Sequence, residues 1–133
     1  MNGPTVSPIP FKEKYTFEER FLEARRIIQK FPNRIPIIVE RSQKAVDIPL
    51  VDKNKFLCPA DLTIGQFLYV IRNRIKLPSE KALFVFIGNS LPPTNTLVKE
   101  LYHTLKNEDG FLYMTYCGEN VFGGAYNYVN PFL

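Results

Sequence analysis

An α+β fold on a single domain is predicted for these 133 residues. Three observations predict it. A capping box at Thr16–Glu19 precedes apolar residues at three- and four-residue spacing, which marks a helix. Short runs rich in β-branched, aliphatic or aromatic residues lie at 35–41, 55–58, 82–87 and 111–117, which marks strands. The order is helix, strand, strand, helix, strand, helix, strand. Two strands on a short loop, a crossover helix and two more strands make a roll of ubiquitin type, and a ferredoxin-like sheet is the competing arrangement.

Residues 1–10 hold Pro4, Pro8 and Pro10 with a glycine, and read as a flexible extension. A short helical turn fits Phe11–Tyr15. Thr16 then caps a helix whose buried face is predicted to carry Phe17, Phe21, Ala24, Ile27, Ile28 and Phe31. Charged residues Glu19, Arg20, Glu23, Arg26 and Lys30 occupy the other face, and Pro32 stops the helix. Ile35–Arg41 is a β-branched run in which Pro36 predicts an edge strand or a strand start. Lys55–Cys58 follows as a second strand, ended by Pro59.

Leu62-Thr63 opens the crossover helix, with Phe67, Val70, Ile71 and Ile75 predicted buried. Ala82–Ile87 is unbroken apolar sequence and reads as a buried central strand. Gly88-Asn89-Ser90 makes a turn. Leu97, Leu101, Tyr102 and Leu105 suit a last helix, Asp109-Gly110 a turn, and Phe111–Cys117 the final strand.

Composition narrows the function classes. Apolar residues are 45% of the chain, too many for a disordered segment. The net charge is +4, with 13 acids interspersed among 17 bases. This is either a mixed solvated surface or a basic face for acidic peptides, anionic lipid or nucleic acid. Cys58 and Cys117 sit in apolar or aromatic stretches, and His103 is the single histidine. No metal-ligand spacing and no Ser/His/Asp or Cys/His constellation is visible, so neither a metal centre nor an enzyme is expected. Without a signal peptide or a long apolar run, a reducing cytosol is expected, with both thiols as small core hydrophobes.

The stretches FPNRIPIIVER, DKNKFLCPADLTIGQF, IRNRI, LPPT and EDGFLYMTYCGENVFG together resemble the ubiquitin-like modifiers of autophagy, the GABARAP and light-chain-3 group. The resemblance runs from about Phe11 to Gly123. It implies a ubiquitin-like β-grasp with a four-stranded mixed sheet and two extra N-terminal helices, no catalytic activity and no cofactor. It implies conjugation through a C-terminal glycine to phosphatidylethanolamine during autophagosome formation. The implied partners are a processing cysteine protease, activating and conjugating enzymes, and cargo and adaptor proteins. Phosphatidylethanolamine membranes and microtubules are further partners, and nucleic acid is not. The expected location is the cytoplasm, then autophagosome and other vesicle membranes after lipidation.

Under this resemblance residues 11–123 form the domain with its C-terminal arm, and 124–133 are a pro-segment removed on processing. The reactive glycine of the family follows an aromatic residue, here Phe122-Gly123, with the cut between Gly123 and Gly124. A ubiquitin-type modifier uses the second glycine of a pair, here Gly124, and is ligated to protein lysines. Glycine suits either role, because a chain end threading a narrow tunnel must lack a Cβ.

The resemblance also implies a docking groove for peptides with an aromatic residue followed three positions later by an aliphatic one. The aromatic pocket would use Glu23, Ile27, Pro36, Lys55, Leu57 and Phe111. The aliphatic pocket would use Phe56, Cys58, Pro59, Leu62, Phe67 and Val70. Arg34, Lys53, Lys55 and Arg74 would receive acidic residues flanking the peptide motif. Ordinary core packing is the alternative for the apolar members, and an edge gatekeeper role for the lysines. In the tail, Tyr126-Asn127-Tyr128-Val129 has the same aromatic-x-x-aliphatic spacing with no acid immediately before it. An RNA-binding sheet is the remaining rival, but the chain lacks the glycine–aromatic motif of such sheets.

Overall fold

The computed structural model describes residues 8–45 and 47–119. Two helices open it, α1 (Phe11–Lys14) and α2 (Phe17–Lys30). They are followed by β1 (Arg34–Arg41), β2 (Lys55–Pro59), α3 (Ile64–Arg74), β3 (Phe84–Phe86), α4 (Val98–Leu105) and β4 (Leu112–Cys117). Strand order in the sheet is β2-β1-β4-β3. The two central strands are parallel, with Ile37 opposite Leu112, and both outer pairings are antiparallel. This is the mixed-sheet roll with two leading helices that the sequence predicts.

The caps explain where the helices start. Thr16 accepts from the Glu19 amide while the Glu19 carboxylate accepts from the Thr16 amide. Thr63 and Gln66 repeat this reciprocal arrangement at α3. Each pair satisfies donors that a helix N-terminus otherwise leaves without partners.

Strand alternation divides the core in two. Ile35, Ile37 and Val39 of β1, with Phe56 and Cys58 of β2, face α3 and α4 in a cluster that also holds Phe67, Ile71, Leu101, Met114 and Tyr116. Ile38 faces the other way, into a smaller cluster with Phe11, Ala24, Ile27 and Phe111 beneath α1 and α2. Residues at odd and even positions of one strand therefore meet different helices.

Four expectations are corrected. Pro36 lies in a central strand, not at an edge. Its partner is Leu57, in a pair that exchanges no ladder bonds, and the β4 ladder begins one residue later at Ile37. The missing N–H is therefore called for on neither side. The run Ala82–Ile87 yields only Phe84–Phe86, on the outer strand β3. Val85 is buried there while Phe84 and Phe86 are half-buried.

On α2 only Ala24 and Ile27 are buried; Phe17, Phe21, Ile28 and Phe31 are all exposed by a third or more. The helix packs on a narrow stripe, so its apolar face is wider than its contact. On α3, Val70 is 37% exposed, whereas Phe67 and Ile71 are buried.

At the turn before β4, Gly110 has φ +95°, and a Cβ there would lie 2.9 Å from the Ala24 Cβ. Both the backbone angle and the close approach to α2 require glycine. The adjacent Asp109 carboxylate is fully buried. It accepts from Arg20 on α2, from the Tyr113 hydroxyl and from the Phe111 amide. This network locks α2 to the start of β4.

Candidate functional site

Hydrogen bonds from the Val39 amide to Asn54 and from the Ala60 amide to Asn33 bracket the β1–β2 pair. With the register between them, they set Phe56 and Cys58 to exchange ladder bonds with β1. Lys55 and Leu57 consequently turn their backbone groups to the outer edge of the sheet. Such an edge accepts an extended peptide as a further strand. Arg34 partly covers it, with Nη1 donating to the Leu57 carbonyl at 3.2 Å. Pro59, which has no N–H, ends it.

The same alternation gives this edge two different flanks. Lys55 and Leu57 face α2, where Lys55 Nζ lies 2.5 Å from Glu23 and Leu57 packs on the Phe11–Ile27–Phe111 cluster. Phe56 and Cys58 face α3, with Phe56 edge-on to Phe67 at 5.7 Å between ring centroids. Side chains three apart on an added strand point to opposite faces. One would therefore meet the α2 flank and the other the α3 flank. That is a physical reason for aromatic-x-x-aliphatic spacing at this edge.

The expected site residues separate into floors and rims. Ile27, Phe111, Pro36 and Leu57 lie along the α2 flank, with Glu23 and Lys55 at its rim. Ile27 and Phe111 are within 1% of fully buried and belong to the core beneath that flank. Along the α3 flank Phe56, Cys58 and Phe67 are buried, Leu62 and Pro59 are half-buried, and Val70 stands at the surface. Cys58 donates weakly to the Pro59 carbonyl, and burial pushes its thiol up to about 12. A buried thiol of this kind is unreactive. Cys117 is likewise free and buried, its thiol pushed up to about 11 by burial.

Three of the four expected cations already have partners. Lys55 pairs with Glu23, Arg74 with Asp52 at 3.2 Å, and Arg34 bonds the Leu57 carbonyl. Arg74 also lies over the Phe56 ring, 5.5 Å from its centroid. Lys53 is exposed and enters no ion pair among the described residues. Glu23 also takes two bonds from Arg26, at 2.9 Å each. The Arg26 guanidinium and then Lys55 hold the Glu23 carboxyl down at about 2, against the opposing effect of burial. An acidic peptide arriving at this rim meets cations held in a bonded array.

Sequence reasoning missed a cleft of about 540 Å³ on the other flank of α2, between Phe21, Ile28, Tyr102 and Lys106. It lies away from the β2 edge. The Asp109 carboxylate beside it is committed to Arg20, Tyr113 and Phe111, so it offers no free charge there. Exposure of Phe21 and Ile28 produces this cleft, and their helical spacing argued for burial. Among the described residues no group of His, Cys, Asp and Glu could hold a metal ion, and no helix is long and apolar enough to cross a membrane. The expected cleavage and conjugation site at Gly123, with the segment 124–133, lies outside the described residues.

Comparison with known proteins bears on the whole arrangement. The family model for "Autophagy protein Atg8 ubiquitin like" matches residues 19–123. Autophagy-related protein 8 of Kluyveromyces marxianus is 57% identical over 115 residues, 86% of this chain and 92% of its own. Autophagy-related protein 8c of Arabidopsis thaliana is 57% identical over 113 residues, covering 85% of this chain and 94% of its own. Among solved structures, Trypanosoma brucei ATG8 superposes with a TM-score of 0.79 at 42% identity, over 84% of this chain and 96% of that one. Plasmodium falciparum Atg8, solved in complex with a Plasmodium falciparum Atg3 peptide, gives 0.75 at 32% identity, over 84% and 100%. The resemblance read from the sequence blocks is borne out: the chain belongs to the Atg8 family of ubiquitin-like autophagy proteins.

Proposed function

We propose that this chain is cut after Gly123 and joined through the Gly123 carboxyl to the amine of phosphatidylethanolamine. On the membrane it then presents the β2 edge to cargo and adaptor peptides. A protease hydrolyses the Gly123–Gly124 amide. The freed carboxylate attacks ATP to form an adenylate with release of pyrophosphate, passes to an enzyme thiolate as a thioester with release of AMP, and ends as an amide on the lipid amine with release of the enzyme thiol. The chain itself supplies no catalytic group. Two acyl chains give stable anchoring where one is marginal, at about 0.8 kcal/mol per buried methylene.

The observation that supports the docking half is the outer β2 edge, which pairs with no further strand among the described residues and has different side chains on its two faces. Burying one aromatic and one aliphatic anchor contributes about 1.5–3 kcal/mol each. Strand bonds add to this and ordering the peptide opposes it, so affinity near the micromolar level, about −8 kcal/mol, is expected. The conjugation half is supported by family membership, by Phe122-Gly123, and by a family match that ends at residue 123. The complex of Plasmodium falciparum Atg8 with an Atg3 peptide supports a conjugating enzyme as partner.

Membrane flotation in autophagy-competent cells tests the reading. The wild-type chain is expected with membranes and Gly123→Ala in the soluble fraction. Efficient lipidation of Gly123→Ala, with loss in Gly124→Ala, would move the site by one residue. Conjugates on protein lysines with none on lipid would replace the reading by the ubiquitin-type one.

A further inference from the structure

The β2 edge has a candidate occupant within this chain. We infer that, before the tail is cut away, Tyr126–Val129 docks on the protein's own β2 edge and withholds it from other peptides. This rests on the reading of that edge as a peptide-docking site.

Position and direction both favour it. Tyr116 lies level with Arg41 of β1, and Lys55 lies level with Ile38. At about 3.3 Å per residue and about 4.8 Å per strand, a strand added outside Lys55 begins roughly 20 Å from Cys117 at the end of β4. Eight residues lie between Cys117 and Tyr126, and the nine Cα steps that join them span up to about 30 Å. Gly118 is packed against Asp47 of the β1–β2 connection, where a Cβ would lie 3.0 Å from Oδ2. From there a segment laid along β2 runs from its Lys55 end to its Pro59 end, parallel to β2.

The residues fit the two flanks. Tyr126 and Val129 are three apart, so on an added strand one faces the α2 flank and the other the α3 flank. Pro131, two residues on, has no N–H and limits the pairing to this short stretch. The segment has no acid immediately before it, so it leaves the Lys55–Glu23 bridge intact and docks weakly by itself. Covalent tethering compensates. A connection of this length gives an effective concentration in the millimolar range. Against an intrinsic dissociation constant near 100 μM, that leaves about a tenth of the molecules open and weakens an external peptide about tenfold.

The test titrates a fluorescent acidic peptide carrying Trp-x-x-Leu against three proteins: residues 1–133, residues 1–123, and the full chain with Tyr126→Ala and Val129→Ala. Residues 1–123 and the double variant are expected to bind about tenfold more tightly than the unaltered full chain. Equal affinities for all three would overturn the inference and leave the docking site standing. No binding by residues 1–123 would overturn the docking reading itself. Weakening that grows with protein concentration would place the tail on a neighbouring copy and overturn the intramolecular contact.

Discussion

Lys55 Nζ of the outer strand and the Glu23 carboxylate of α2 lie 2.5 Å apart. This ion pair ties the edge of the sheet to the helix beside it. It sits at the mouth of the α2 flank, above Ile27 and Leu57. The pair is partly exposed, 37% and 27% at its two side chains, so it contributes little to stability in water. Its consequence is positional, since it fixes a cation at the rim where a peptide strand would enter.

Glu23 is expected to titrate far below the ordinary glutamate value. Its value falls from an ordinary 4.5 to about 2, with the Arg26 hydrogen bonds as the leading cause and Lys55 after them. A depressed carboxylate stabilises the fold above its unfolded value, and this contribution is lost as pH falls from about 4.5 through 2. Carboxyl-carbon NMR across that range should place the Glu23 midpoint near 2. In Arg26→Ala it should move up toward the ordinary range; an unmoved midpoint would assign the shift elsewhere.

How much of this was legible in the sequence differs by element. The starts of α2 and α3 were legible because caps are local: Thr16 with Glu19 is a pattern of four residues. The order of elements followed from run lengths and breakers. Layer assignment was not legible, because it depends on what lies over a run and not on the run itself. Ala82–Ile87 is as apolar as Ile35–Val39, yet only the latter has a strand on each side. Pro36 misled because its harmlessness depends on where the β4 ladder begins, a fact set by residues more than 70 positions away. The docking residues were named through a family resemblance. Periodicity alone would have placed Leu57, Phe67 and Phe111 in the core, where Phe67 and Phe111 are, while Leu57 is half-buried against it. Asp109 was read only as a turn residue, since nothing local shows that Arg20 and Tyr113 converge on it.

Asp109→Ala is expected to cost about 3 kcal/mol in urea unfolding. Removing one partner from a buried ion pair costs roughly 3–5 kcal/mol, and the low end applies because Arg20 reaches solvent, at 12% exposure. The Phe111 amide also loses its acceptor. Tyr113→Phe, which removes one neutral donor, should cost only about 1 kcal/mol. Equal costs for the two would show that the carboxylate is not the centre of the network.

Two residues of the α3 flank should separate core from rim. Phe67 is buried against Phe56, so Phe67→Ala should lose about 3–5 kcal/mol of stability. Val70 is 37% exposed, so Val70→Ala should change stability by less than about 0.5 kcal/mol. Val70→Ala should instead weaken a Trp-x-x-Leu peptide severalfold. Chemical denaturation and peptide titration on the same samples check both. Unchanged peptide affinity in Val70→Ala would take the aliphatic pocket away from this flank.

The central claim is that Gly123 becomes the end of the chain and carries a lipid. Intact mass spectrometry of the protein recovered from membranes of autophagy-competent cells tests this most directly. The account predicts a chain of residues 1–123 bearing one phosphatidylethanolamine in amide linkage at Gly123. Membrane-derived chains that retain residues 124–133, end at Gly124 or carry no lipid would contradict it.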